Sequence, residues 1–415
     1  MLAIYRILIN CIFILSPIII IFRLLKKKED FKRFKEKFCF FSEKRINGNL
    51  IWFHGASVGE ILSIIPLIEK FEKDTNINQI LVTSNTISSS MIIKKLKLKK
   101  TVHQFFPIDA NFFSKKFLNY WKPSKAFFVD SEVWPNTLIN LSKKKIPIIL
   151  LNGRITKKTF NRWMLFPNFA KNIFIKFDLC LSSSDESKKF LKKLGVKNIK
   201  FIGNLKFSQS ENEKINLHKD LKKYITKRKT WCASSTHYNE EKFCGQIHLA
   251  LKKKYKNILT IIIPRHVHRS QLIKKELTNL KLKVHMHEPK KNINLDTDIY
   301  LVNSYGKTKS FYNNCKNIFL GGSLINHGGQ NPLEAIRYGC NVLHGPNISN
   351  FKEIYKFLKK KKLSNKINNQ NQMIKILEKT LNKRNSSKKI VQSINLIGKN
   401  ILKKTFNEIL LTKSR

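Results

Sequence analysis

Leu50-Ile51-Trp52-Phe53-His54-Gly55-Ala56-Ser57-Val58-Gly59-Glu60-Ile61 is the stretch on which the reading of the chain turns. Five strand-forming residues run into a turn of small ones, and from Ile61 to Lys73 apolar residues recur at helical spacing. Small residues after a strand let backbone N–H groups approach a ligand at a helix amino terminus. Glu60 falls in the first turn of that helix. There a carboxylate either complements the helix dipole or serves a cleft, and spacing alone does not choose between the two.

The same strand–turn–helix unit repeats outward from this point. Strands are expected at Ile80–Thr83, Val102–Phe106, Ala126–Val129, Ile146–Leu151, Leu179–Ser182 and Ile199–Ile202. Helices are expected at Ile87–Leu98, Asn111–Trp121, Pro135–Lys144 and Glu186–Leu194. A polar stretch from Ser208 to about Asp220 interrupts the rhythm as a linker. It restarts with strands at Trp231–Ala233, Ile258–Ile263, Lys283–Met286, Ile299–Val302, Ile318–Leu320 and Asn341–Leu343. Helices at Glu240–Lys253, Arg269–Leu280, Asn331–Tyr338 and Tyr355–Lys362 accompany them, and the Lys/Asn-rich tail from Ser364 keeps a helical period. Such alternation predicts an α/β protein with two doubly wound, Rossmann-like domains facing across a cleft, ligands lying beyond the carboxyl ends of the strands. The expected division is an amino-terminal segment at 1–25, a first Rossmann-like domain at 26–207 and a second at 208–415.

With 42% hydrophobic residues among 415, the chain has material for large cores and is not globally disordered. Lys and Arg number 80 against 27 Asp and Glu, a net charge of +53. That balance suits nucleic acid, an anionic membrane face or a phosphorylated substrate. The lysines are nevertheless scattered evenly among Ile, Asn and Phe rather than clustered with aromatics, so nucleic acid is not expected as a partner. Seven scattered cysteines without a CxxC pair exclude a disulfide scaffold and a zinc ribbon.

Ile7–Phe22 is an uncharged apolar run between Arg6 and Arg23. It is short for a span of about 20 residues, unless the flanking arginines snorkel. No small-residue cleavage site follows; Lys26, Lys27 and Lys28 do. A retained anchor is therefore expected, with the basic side and the body of the protein on the cytoplasmic face of a membrane. A buried or interfacial helix is the alternative.

Further polar groups stand just after predicted strands. Asp130-Ser131-Glu132-Val133-Trp134-Pro135-Asn136 offers two carboxylates at i, i+2, or alternatively a helix start with Pro135 at its first position. Lys206 closes Gly203-Asn204-Leu205-Lys206 and could reach an anion. In the second half come Ser234-Ser235-Thr236-His237, Pro264-Arg265-His266, and Gly321-Gly322-Ser323-Leu324 leading to His327-Gly328-Gly329-Gln330-Asn331-Pro332-Leu333-Glu334. The last joins glycines, a hydroxyl and an imidazole before a helix suited to phosphate, with Glu334 placed for ribose hydroxyls. Gly306-Lys307-Thr308 lacks the upstream glycine of a phosphate-binding P-loop, and no GxSxG elbow occurs. His266/His268 and His285/His287 lack a third ligand at metal spacing, so no metal is expected.

Taken in order, HGASVGE (54–60), FFPIDA (105–110), VDSEVWPN (129–136), LNGRIT (151–156), GNLKF (203–207), ASSTHYNEE (233–241), IIIPRH (261–266) and FLGGSLINHGGQNPLEAIRYGCNVLHGPNISNF (319–351) closely resemble the 3-deoxy-D-manno-octulosonic acid (Kdo) transferases of Gram-negative bacteria. The resemblance implies a GT-B fold with an amino-terminal anchor at the inner membrane. It implies inverting transfer of Kdo from CMP-Kdo to the glucosamine disaccharide of a lipid A precursor, in lipopolysaccharide biosynthesis, with no cofactor besides the donor substrate. Carried over by position, Glu60 matches the general base, and Asp130 and Lys206 the positions assigned to transition-state stabilisation. Pro264 and Arg265, Tyr305, Gly306 and Lys307, and Asn331, Pro332, Leu333 and Glu334 fall where the family binds CMP. Two residues depart from the pattern: Asp130 stands where Glu is usual, and Lys307 also replaces a Glu, reversing a charge. The rival readings are a GT-B enzyme using a UDP-sugar, separable by a donor assay, and a membrane-tethered nucleic-acid binder, separable by salt-dependent binding.

Overall fold

Apolar residues run unbroken through the strands because both faces of each sheet are covered. Leu50–His54, Gln79–Ser84 and Ile148–Gly153 are buried along their whole lengths. The computed structural model describes all residues except 27, 210–215, 288–292, 295, 383–386 and 413–415. It divides into two units, Met1–Gln209 with Ile397–Arg415, and Ser210–Leu396.

The first unit opens with helix α1 (Leu2–Leu25), followed by β1 (Leu50–His54), α2 (Val58–Glu72), β2 (Gln79–Ser84), α3 (Ile87–Leu96) and β3 (Thr101–Phe105). It continues through α4 (Asn111–Trp121), β4 (Lys125–Val129), α5 (Pro135–Lys143), β5 (Ile148–Gly153), α6 (Lys157–Trp163) and α7 (Pro167–Phe174). β6 (Leu179–Ser182), α8 (Asp185–Lys193) and β7 (Ile199–Phe201) complete the sheet. Its seven strands are parallel in the order β3-β2-β1-β4-β5-β6-β7. The chain reverses direction of winding between β1 and β4, and His54 lies opposite Phe128 there. Aromatic residues fill the core beneath: Phe53 stacks on Phe127 at 4.5 Å, and Trp52 meets Phe128 edge-on at 5.3 Å.

The second unit runs α9 (Lys219–Thr226), β8 (Lys229–Thr236), α10 (Glu240–Lys252), β9 (Ile258–Pro264), α11 (Ser270–Asn279), β10 (Val284–Met286) and β11 (Ile299–Leu301). Then come α12 (Thr308–Tyr312), β12 (Asn317–Leu320), α13 (Leu333–Arg337), β13 (Asn341–His344), α14 (Lys352–Lys360), β14 (Ser364–Lys366), α15 (Gln370–Leu381) and α16 (Ser387–Leu411). Its sheet is again seven-stranded and parallel, β10-β11-β9-β8-β12-β13-β14, with the switch at β8 and β12.

Every expected strand is present, and the unpredicted β14 opens a tail expected to be helical. Helices α6, α7, α9 and α12 are additional. Residues 210–215 of the expected linker lie outside the described residues, and Lys219 already begins α9. The expected carboxyl-terminal domain, 208–415, loses its last residues to the first unit. The cause is packing of the later part of α16: Phe406 sits 5.1 Å from Phe71, Glu408 pairs with Lys200 at 2.6 Å, and Lys125 Nζ donates to the Thr412 carbonyl at 2.9 Å.

Gly398 makes this approach possible. A β-carbon there would stand 2.2 Å from the Phe207 carbonyl oxygen. Gly398→Ala should therefore destabilise the first unit by about 1–3 kcal/mol, although alanine favours a helix. Urea unfolding checks this, and a stabilised variant would show that the helix does not sit against residues 207–208.

Helix α1 is long and apolar enough to cross a membrane by length and composition. One of its faces is docked on the first unit. Tyr5 donates to Asp109 Oδ2 at 2.8 Å, Arg6 Nε donates to Asn136 Oδ1 at 3.0 Å, and Phe13 meets Phe113 edge-on at 5.2 Å. Ser16 and Ile20 are buried on the same side, whereas Ile7, Ile14, Ile18 and Leu25 are exposed on the other.

Candidate active site

The Ser57 hydroxyl caps α2, accepting from the Glu60 N–H. Glu60 returns the contact: its Oε2 accepts from the Ala56 N–H at 2.7 Å and its Oε1 from the Ser57 hydroxyl at 2.9 Å. The half-buried carboxyl is nevertheless pushed up to about 7, first by burial, then by the negative charges of Glu132 and Asp130, against the opposing hydrogen bonds. A carboxylate poised there is a competent base near neutral pH.

Asp130 follows β4 in the left-handed region, φ +56°. This turn sets its side chain among donors. Lys206 Nζ reaches Oδ2 at 3.1 Å and the Asn152 amide donates to Oδ1. The two members of the ion pair keep 14% and 9% of their side-chain exposure, so the charge is sheltered from screening. Asn152 also accepts from the Leu205 N–H at 2.9 Å, and Asn204 from the Lys206 N–H at 2.9 Å. The end of β5 thereby fixes the turn that carries Lys206.

Glu132 is held separately. Trp134 Nε1 donates to its Oε2 at 2.9 Å, and His54 Nε2 lies 3.2 Å from the same oxygen. The remaining partners select a tautomer. Trp52 Nε1 donates to Thr83 Oγ1 at 2.9 Å, and that hydroxyl lies 2.9 Å from His54 Nδ1. The Glu132 carboxylate beside Nε2 favours the proton on that nitrogen, which leaves Nδ1 to accept from the Thr83 hydroxyl. The sequence reading had the pair Asp130/Glu132 but chose only Asp130; Glu132, His54, Asn152 and Asn204 become visible through their partners.

In the second unit the expected nucleotide residues lie after the carboxyl ends of neighbouring strands. Pro264 ends β9 and is buried, with exposed Arg265 next. Tyr305, Gly306 and Lys307 form an exposed turn between β11 and α12. Asn331 precedes α13 and accepts from the Leu333 N–H at 3.1 Å. The helix is shorter than expected, five residues from Leu333, with Pro332 at its cap and Glu334 half-buried in its first turn.

One buried carboxylate organises these loops, and sequence reasoning passed over it within ASSTHYNEE. Glu240, 1% exposed, accepts from four backbone N–H groups: His237 at 2.9 Å, Gly322 at 2.7 Å, Ser323 at 3.1 Å and Leu324 at 3.0 Å. It ties the β8–α10 turn to the glycine loop after β12. Among the described residues no group of three or more His, Cys, Asp or Glu is gathered to hold a metal ion.

Residues 32–209 match the family model described as 3-Deoxy-D-manno-octulosonic-acid transferase (kdotransferase). Over 381 residues the chain is 32% identical to a 3-deoxy-D-manno-octulosonic acid transferase of Rickettsia bellii, covering 90% of each protein. It is 28% identical over 312 residues to the protein of that name from Haemophilus influenzae, covering 74% of this chain and 73% of that one. Among solved structures, UDP-GlcNAc 2-epimerase of Neisseria meningitidis has the same fold at 15% identity, with a TM-score of 0.60 over 88% of this chain and 100% of that one. Two Rossmann-like units of GT-B type and a relative matched over nine-tenths of its length lead to one conclusion: the chain belongs to the 3-deoxy-D-manno-octulosonic acid transferase family of glycosyltransferases.

Proposed function

We propose that the protein transfers Kdo from CMP-Kdo to the glucosamine disaccharide of a lipid A precursor, with inversion, at the cytoplasmic face of a bacterial inner membrane. The observation that carries the reading is Glu60, a half-buried carboxyl lifted to about 7 at the amino end of α2. Ionised Glu60 removes the proton from a sugar hydroxyl of the acceptor as the oxygen attacks the anomeric carbon of Kdo. The C–O bond to the CMP phosphate breaks as the new one forms, and the phosphate leaves with the electron pair. Lys206, steadied by Asp130, offsets negative charge as it develops. Arg265 supplies a cation for the phosphate, and Glu334 accepts hydrogen bonds from the ribose. The phosphate is already a good leaving group, so the reaction asks for no metal. The exposed face of α1 and the basic residues after it suit an anionic leaflet.

Incubating the full-length protein with lipid A precursor and a CMP-Kdo-generating system should yield product one or more Kdo residues heavier by mass spectrometry. Transfer from a UDP-sugar in its place, or no transfer, overturns the reading.

The base also dictates a pH profile. Activity needs ionised Glu60, so it should rise with pH through about 7. Glu132→Gln removes a negative neighbour, and with it part of what disfavours ionisation. The acid limb of kcat should then move to lower pH, yet stay above the ordinary carboxylate range because burial is the larger cause. An unmoved limb would show that the field of Glu132 does not reach the base.

A further inference from the structure

Helix α1 is held to the first unit at both ends and along one side. Near its start Tyr5 donates to the buried Asp109 at 2.8 Å, and Arg6 donates to Asn136 at 3.0 Å and to Asn111 at 3.4 Å. In the middle Ile9 and Phe13 pack against the core of that unit, and Ser16 and Ile20 are buried. At its end Arg23 pairs at 3.1 Å with Glu29, whose side chain is 1% exposed and also meets Lys37. From Tyr5 to Arg23 the docked length is about 27 Å, at 1.5 Å per residue.

The opposite side is apolar and open. Ile7, Ile14, Ile18, Ile21 and Leu25 recur at helical spacing and are each more than half exposed. Two further exposed apolar groups adjoin the helix. Phe112 on α4 is 52% exposed, and its ring lies 5.8 Å from that of Phe13. Met164, Leu165 and Phe166 are exposed at the corner between α6 and α7, next to Trp163. Trp163 stacks on Phe169 at 6.1 Å, and Phe169 in turn lies 6.3 Å from Tyr5. Exposed cations border this surface: Lys26 and Lys28 after α1, and Lys157, Lys158 and Arg162 on α6. An apolar strip of this extent marks an interaction surface, and its border chooses the partner. A second copy would bring another cationic border to the contact, whereas anionic lipid complements it.

A helix docked in this way does not cross a bilayer. Crossing with its contacts intact would carry Asp109, Asn111 and Asn136, with the polar amino ends of α4 and α5, to the depth of hydrocarbon. Crossing alone would give up those hydrogen bonds and leave the buried Phe113 without its cover. Lying in the interface meets both demands, with the apolar side among acyl chains and the other side on protein.

We propose that α1 lies in the plane of the membrane rather than across it, and that Phe112 and the 164–166 corner dip into the same leaflet beside it. The proposal deepens the membrane part of the reading above, and its test needs neither donor nor acceptor. Cys11 is exposed and the other six cysteines are buried, so the full-length Cys11→Ser protein accepts single labels. Ile7→Cys, Ile14→Cys, Ile21→Cys, Leu25→Cys and Leu165→Cys, each carrying a nitroxide, should be read for depth by oxygen and nickel relaxation in phosphatidylethanolamine–phosphatidylglycerol vesicles. All five should lie at one shallow depth, roughly 5–10 Å into the boundary between headgroups and acyl chains. A depth greatest at residue 14 and falling towards 7 and 25 is the mark of a crossing helix and overturns the proposal, as does a label at 165 that stays in water. Leu165→Asp combined with Phe166→Asp should weaken vesicle binding roughly tenfold or more with an unchanged thermal melt. Unchanged binding would remove the corner from the surface. Spin–spin broadening between Ile14→Cys labels that persists in excess lipid would give the face to a second copy instead. Kdo transfer to a detergent-dispersed acceptor reports the enzymatic reading separately, so a protein active there but not bound to vesicles would lose only its membrane seat.

Discussion

Glu60→Gln is expected to lower turnover by roughly 10²–10⁴-fold while leaving KM for the donor nearly unchanged. Glutamine keeps the size of the side chain and an oxygen for the Ala56 N–H, its amide N–H can donate to the Ser57 hydroxyl in place of accepting from it, and the backbone bond that caps α2 on Ser57 is untouched. What disappears is the ability to take a proton. The neighbouring charges of Glu132 and Asp130 no longer have a carboxylate to oppose, so the fold should be no less stable. Initial rates with saturating acceptor, beside a thermal melt, separate the two effects. Near-normal turnover in a folded variant would remove Glu60 from the chemistry and leave it as a helix cap.

Glu240→Ala should be the most damaging substitution for stability. Its carboxylate accepts from the N–H groups of His237, Gly322, Ser323 and Leu324, and truncation leaves them without an acceptor in a site the side chain itself had closed. An orphaned buried donor costs about 1–3 kcal/mol, and the four are not additive once water enters. A loss of roughly 3–5 kcal/mol is expected from the second unit. Glu240→Gln should recover little, because one end of the amide presents N–H to N–H. Trp231, buried on β8, is the fluorophore to follow in urea unfolding. A shift under about 0.5 kcal/mol, the range of neutral surface changes, would mean that the glycine loop holds itself.

Strands in this protein are legible because two-sided burial writes them as unbroken apolar runs. β14 is not, since Ser364-Asn365-Lys366 has no apolar side chain; it exists because the edge of β13 offers its hydrogen bonds. Helix α6 escapes notice for a related reason: none of its residues is buried, so it leaves no periodic signal. The allegiance of α16 is hidden differently, since a helical period says nothing about which surface receives it. At the site, Glu60, Asp130 and Lys206 stand out as polar residues after strand ends. Glu132 and Glu240 belong to strings just as visible, but their meaning depends on Trp134 and His54, and on N–H groups far along the chain. A spacing rule sees the residue; only the fold supplies the partner.

The two-faced character of α1 bears on how the protein can be handled. Phe13 meets Phe38, Phe112 and Phe113 at 6.1, 5.8 and 5.2 Å, and the Tyr5 hydroxyl is spent on Asp109. The segment is thus a fitted lid as well as a greasy handle. Trimming it to gain a water-soluble enzyme would strip one oily surface while baring another that the body of the protein never meant to show.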